Sequence, residues 1–212
     1  PASAFFTLIF PLLMLLIFGT IYGANPVPGT DSTESAIAAL IPAFTGMSIG
    51  IVGLMPVTIT MATYRENGIL RRLRTTPASP LMIMAAQVVV VFVMTALGVL
   101  LLMIAGKLVY HVQFTGNALS LAAGFTFCSL SFFGTGFVLA GTMPTARTAQ
   151  IVAMVLMYPM LILSGAGWPR ELMPAAVLKI SNFLPLTYVV NLLRGLWFGE
   201  SWGQHLLDVG VL

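Results

Sequence analysis

The sequence predicts an all-α, polytopic membrane protein, and three observations carry that expectation. Only 7% of the 212 residues are charged and 58% are hydrophobic, with a mean hydropathy of +1.01. That is far more apolar surface than one soluble core can hide. The apolar runs continue for twenty residues or more, the length a helix needs to cross about 30 Å of hydrocarbon. A barrel would instead alternate apolar and polar residues over segments of about ten. Finally, Arg65, Arg71, Arg72 and Arg74, four of the nine Lys and Arg residues, sit between two apolar runs. Arginine collected beside span ends marks the cytoplasmic side.

The formal charge of +3 therefore reports topology, and no basic or basic-aromatic patch points to nucleic acid. Cys128, the single cysteine, lies in an apolar run and reads as a small buried hydrophobe. Disulfides play no part.

The first span is expected over 4–22, uncharged and without the basic flank and cleavage site of a secretory signal. The chain starts abruptly there. Turn formers and two acids then make 23–35 an external loop. The second span covers 36–63, kinked by Pro42 and Pro56. Within it Gly46 and Gly50 form a GxxxG pair with Gly53 close behind, a spacing that lets helix backbones approach closely.

On a helical wheel, Ile69, Leu70 and Leu73 share one side of the following stretch, and Arg71, Arg72 and Arg74 the other. Such a short amphipathic helix is either a positive-inside anchor in the headgroups or a docking surface for a cytoplasmic partner. Glu66 falls on the apolar side if the helix is continuous, so its carboxylate needs a partner, either a nearby arginine or helix-end amides. Gly68 could break the helix and change that angle.

A third span is expected over 81–106. An external loop from Lys107 to Asn117 follows, in which His111 reads as a solvated residue. The fourth span covers 118–141; its Ser129, Ser131 and Thr135 either line a polar path or bond back to their own helix. A short inside loop carries Pro144 and Arg147, and the fifth span covers 148–164. Residues 165–199 are broken by Pro169, Pro174 and Pro185 into pieces too short to cross alone. They read as two external or re-entrant helices dipping into the outer leaflet. This places Arg170, Lys179 and Arg194 outside, against the positive-inside trend, though the four arginines of one short loop outweigh them. Residues 204–212 begin a sixth span that the sequence does not complete.

The chain has no GxxxxGK[ST] loop, so any ATP is bound by another polypeptide, and it has no HExxH helix or serine-hydrolase arrangement. The middles of the first five spans carry no Asp, Glu, Lys, Arg or His, which argues against a proton-coupled carrier. A sodium-coupled secondary transporter stays open, without a visible inverted repeat. An intramembrane enzyme is a remoter alternative.

Three features together resemble the ABC-2 type transporter permeases. They are the order of spans, the stretch Arg65-Glu66-x-Gly68-x-Leu70-Arg71-Arg72-Leu73-Arg74-x-x-Pro77-x-x-Pro80, and the external Leu184-Pro185-Leu-Thr-Tyr188 with Arg194. The resemblance covers nearly the whole chain, and the arginine stretch is most similar to drug-export permeases of the daunorubicin-resistance type. It implies six spans with the sixth truncated, a coupling helix over 65–76 seated on a cytoplasmic ABC ATPase subunit, and an external re-entrant hairpin. It also implies a second permease half, ATP bound only by the partner subunit, and a place in the bacterial cytoplasmic membrane. The exported compound would be hydrophobic or amphipathic and drug-like, with polysaccharide or lipid as the alternative. In that family the first, second and fifth spans line the dimer interface, which would put the Gly46/Gly50 face near the partner half or the fifth span.

Overall fold

The computed structural model describes residues 5–22, 36–69, 80–167 and 173–212. Among the described residues every regular element is helical. A π-helical turn, Phe5–Ile9, leads into α1 (Phe10–Tyr22). Helices α2 (Ala36–Leu54) and α3 (Pro56–Glu66) follow, then α4 (Pro80–Tyr110), α5 (Ala118–Thr142) and α6 (Ala146–Leu163). Two short helices, α7 (Ala175–Ser181) and α8 (Pro185–Trp197), precede a 3-10 turn, Trp202–His205, and α9 (Leu206–Val211).

Among the described residues four helices are long and apolar enough to cross a membrane: 37–66 (α2 and α3 counted as one), 81–110, 118–142 and 146–163. Thr7–Ile21 is a shorter apolar helix. The start of a sixth span expected over 204–212 carries the 3-10 turn and the six-residue α9. Pro42 is absorbed inside α2, whereas Pro56 opens α3 after a turn at Met55. Around that turn the ladder persists on both sides, from Met55 N–H to Ile51 O (3.0 Å) and from Ile59 N–H to Met55 O (2.9 Å). Proline thus removes one donor without ending the span.

Helices α2 and α3 are the axis of the bundle. Their apolar window is 94% buried, against 22–39% for the other three spans. Helices α8, α5, α1 and α4 surround α2, while α5 and α6 flank α3. Close approach on α2 and α5 is made by glycine. A Cβ on Gly53 would lie 2.8 Å from Phe132 Cβ, and one on Gly136 would collide with the Gly53 carbonyl oxygen. Where these backbones touch, Thr58 Oγ1 donates to the Gly136 carbonyl at 3.1 Å, a polar tie between helices that lipid cannot compete for.

Two further boundaries differ from the sequence reading. Helix α4 runs to Tyr110, so Lys107 belongs to its last turn and not to a loop. A lysine near a helix end can lay its stem along apolar surface with its ammonium in the headgroups. At that end Tyr110 Oη donates to the Leu16 carbonyl at 3.0 Å, and its ring covers Gly19 of α1. At the other end of the bundle α6 starts at Ala146, with Thr145 as its N-cap. The hydroxyls of Thr126 and Thr135 bond back to the carbonyls of Ala122 and Ser131. Ser129 is fully buried without a partner.

The glycine contacts separate two positions on one helix. Gly136→Val should cost about 1–3 kcal/mol through overpacking. Gly134 meets nothing within 4 Å, so Gly134→Ala should be neutral or stabilise by up to about 1 kcal/mol. Unfolding in detergent micelles measures both, and equal destabilisation would contradict this packing.

Candidate functional site

The site is the end of the central helix. Arg65 and Glu66 are the last two residues of α3. Asn67 N–H bonds to Thr63 O (3.0 Å) and Gly68 N–H to Arg65 O (3.1 Å). Gly68 then takes φ +65° with open space around it, so glycine is needed there for its left-handed backbone and not for room. The helix therefore stops before Ile69. The continuous wheel running from Glu66 through Ile69 does not apply, and Arg65 and Glu66 close α3 where a coupling helix over 65–76 was expected to open. Leu70, Arg71, Arg72, Leu73, Arg74 and Pro77 lie outside the described residues, as does Pro169.

The two side chains straddle the turn Met143–Thr145 that joins α5 to α6. The Arg65 guanidinium donates through Nη1 to the carbonyl of Gly141, in the last turn of α5. Glu66 Oε2 accepts from the Ala146 N–H, the first of α6, at 2.7 Å. A cation thus sits on a helix C-terminus and an anion on a helix N-terminus, the arrangement both macrodipoles favour. Thr145 caps the same helix, its Oγ1 accepting from Thr148 N–H at 3.2 Å. An apolar bed of Met61, Ala62, Ala140 and Ala149, all buried, holds α3, α5 and α6 together beneath these bonds. Of the two partners expected for Glu66, the helix-end amide is the one found.

The other predicted positions fall elsewhere. Gly46 and Gly50 face α8, where added Cβ atoms would come within 2.9 Å of Val190 and 3.0 Å of Leu186. Met157 of α6 is the next neighbour of Gly50, at 3.7 Å. This face is filled within the protomer. Pro174 is the N-cap residue of α7, and Pro185 begins α8. Tyr188 Oη donates to the Asn182 carbonyl at 2.5 Å and Thr187 Oγ1 to the Ser181 carbonyl at 2.6 Å, fixing the α7–α8 corner. Arg194 is partly buried in the last turn of α8.

The sequence reading missed an ionisable trio beside α8. His205 Nε2 lies 2.7 Å from Glu200 Oε2, and Nδ1 lies 2.6 Å from Asp208 Oδ2. Three polar, ionisable residues within nine positions were a visible signal in so apolar a chain. Among the described residues no group of three or more His, Cys, Asp or Glu could hold a metal ion.

A bundle of several apolar membrane-length helices around a buried axis, with a charged turn at the end of that axis, defines a multi-pass membrane protein. Residues 1–198 match the family model of the ABC-2 type transporter, and the chain belongs to that family. It is 34% identical over 162 residues to the inner membrane transport permease YhhJ of Escherichia coli, covering 69% of this chain and 41% of YhhJ. It is 28% identical over 200 residues to ycf38 of Cyanophora paradoxa, which carries the name of a transport permease, covering 91% of this chain and 67% of ycf38. YbhR of E. coli, named as a probable multidrug ABC transporter permease, is 23% identical over 163 residues, covering 76% and 44%. The chain spans less than half the length of YhhJ and YbhR. No solved structure matches it.

The Glu66 contact has a local readout. Glu66→Ala should speed amide exchange at Ala146 by about tenfold or more, the worth of a charge-assisted hydrogen bond, and leave the middle of α6 unchanged. Hydrogen–deuterium exchange in detergent measures this, and unchanged exchange at Ala146 would contradict the contact.

Proposed function

We propose that the chain is the permease subunit of an ATP-binding-cassette exporter that moves a hydrophobic or amphipathic, drug-like compound outward. A separate cytoplasmic ATPase subunit would hydrolyse the ATP, and a second permease half would complete the pathway. The observation that carries this reading is the straddled turn. Force applied to the segment after Gly68 reaches α5 and α6 through Arg65 and Glu66, and reaches the core directly because α2 and α3 are its axis. In this reading the Arg65 end is cytoplasmic, and residues 70–77, with Leu70, Arg71, Arg72, Leu73 and Arg74, form the surface seated on the ATPase.

Helix α8 fits the external re-entrant role. Leu186 lies beside Gly50 and Val190 beside Gly46, roughly 21 and 15 Å along α2 from Ala36, while Leu196 lies at the level of Gly116. A helix running from that depth to one face reaches about halfway through a 30 Å hydrocarbon layer. The drug-like substrate class rests on the name of YbhR and on the apolar interior; lipid or polysaccharide export is the competing outcome of the same assay.

Purified permease reconstituted with its ATPase should show hydrolysis stimulated by amphipathic compounds. Glu66→Ala and Leu73→Asp should keep insertion and lower that stimulation at least about fivefold, the lower range of coupling between sites. Parental stimulation and transport in both variants would reduce the stretch to a topological anchor. Stimulation only by a lipid-linked glycan would reassign the substrate, and transport driven by an ion gradient without ATP would overturn the exporter reading.

A further inference from the structure

Helices α4 and α5 meet where Phe92 and Phe125 pack with ring centroids 5.4 Å apart. Towards the Lys107 end they enclose a cavity of about 1090 Å³ that has α2 behind it at Ile41. Its walls are two helical stripes: Phe92, Ala96, Val99 and Met103 on α4, and Leu121 and Phe125 on α5. From Phe92 to Lys107 the groove follows α4 for roughly 22 Å, more than the 15 Å of one leaflet's hydrocarbon. Water would wet such walls poorly, and an empty apolar space of this size beside lipid forfeits dispersion contacts along its whole lining.

The mouth has different chemistry. Lys107, His111 and Gln113 line it, and among the described residues Lys107 makes no ion pair. Trp197 lines the same cavity. It is only 4% exposed, packs edge-on against Phe114 at 4.9 Å, and its indole N–H is buried with no acceptor among the described residues. His111 carries φ +55°, a left-handed conformation uncommon outside glycine. It turns the chain at the rim.

We propose that this groove is a binding site for one anionic glycerophospholipid of the leaflet on the Lys107 side. One acyl chain lies between α4 and α5 down to Phe92 and Phe125. The head-group phosphate meets the Lys107 ammonium at the mouth, and the Trp197 ring forms part of the wall beside it. The site lies apart from the Arg65–Glu66 turn and from the face filled by α8. A zwitterionic lipid would fill the groove equally well but gain less from an unpaired cation, so the mouth selects for net negative charge.

Tryptophan quenching by brominated acyl chains reads the groove directly. With Trp168→Phe and Trp202→Phe leaving Trp197 as the sole tryptophan, the protein is reconstituted in phosphatidylcholine vesicles. These carry dibrominated phosphatidylglycerol in one series and dibrominated phosphatidylcholine in the other. Quenching should show phosphatidylglycerol favoured about fivefold, the gain expected from one basic residue. Lys107→Gln should bring that ratio to about one, and Ala96→Phe, which fills the groove, should remove most of the quenching. Native mass spectrometry of the protein with all its tryptophans, with and without Lys107→Gln, checks the same preference if the tryptophan variants fold poorly. Equal quenching by both lipids that Lys107→Gln does not change would overturn the site. Absence of quenching would overturn it too, by showing that protein, such as a second copy of the chain, covers the groove.

Discussion

The structure depends on burying one helix from every side. A helix enclosed by other helices in a membrane gains nothing from hiding apolar surface, because lipid is as apolar as its neighbours, so it is held by close packing and by polar ties between backbones. Helices α2 and α3 meet that constraint along their length. Gly46 and Gly50 admit Val190 and Leu186, Gly53 admits the backbone at Phe132, and Thr58 reaches the carbonyl of Gly136. Pro56 breaks the rod at the level where α5 crosses it, and Thr58 follows within the first turn of α3. What surrounds this axis is placed by it: α8 on one face, α5 on another, and α4 reaching it through Gly106 against Ile41.

At the Arg65 end the same axis finishes in two opposite charges whose partners are the ends of α5 and α6. Exposed ion pairs contribute little to stability. A charge placed on a helix terminus uses a dipole already fixed in space, so little further ordering is needed. The turn Met143–Thr145 therefore cannot move far from α3 without losing both bonds. Movement of the chain beyond Gly68 would act on three helices together, and glycine at the left-handed position gives a defined place where the direction of the chain changes.

Much of this was legible in residue order. Continuous apolar runs marked, to within a few residues, the helices at 37–66, 81–110, 118–142 and 146–163 that are long and apolar enough to cross a membrane. A lone carboxylate among arginines at a membrane boundary announced that it needed a partner. The identity of that partner was not legible, since Gly141 and Ala146 lie 76 and 80 positions from Arg65 and Glu66, and no local pattern encodes such a pairing. Lys107 misled because a charge usually ends an apolar run, whereas a long flexible stem lets the helix continue to Tyr110. The seat of α8 was hidden for a related reason. Its apolar residues looked like a piece too short to span, yet nine of its thirteen positions are buried, and Leu186 and Val190 fill the Gly50 and Gly46 face that was expected near the partner half or the fifth span.

The account stands most directly on the link between Glu66 and the Ala146 amide. Proline is well suited to the first position of a helix, and Thr145, at φ −132° and ψ 159°, already has the extended backbone that precedes proline. Ala146→Pro thus removes the donor with little other disturbance. A double-mutant cycle of Glu66→Ala and Ala146→Pro, read as unfolding free energy in detergent, isolates the pairwise contribution. The account predicts that the double variant is no less stable than the weaker single variant. Strict additivity of the two losses would contradict it.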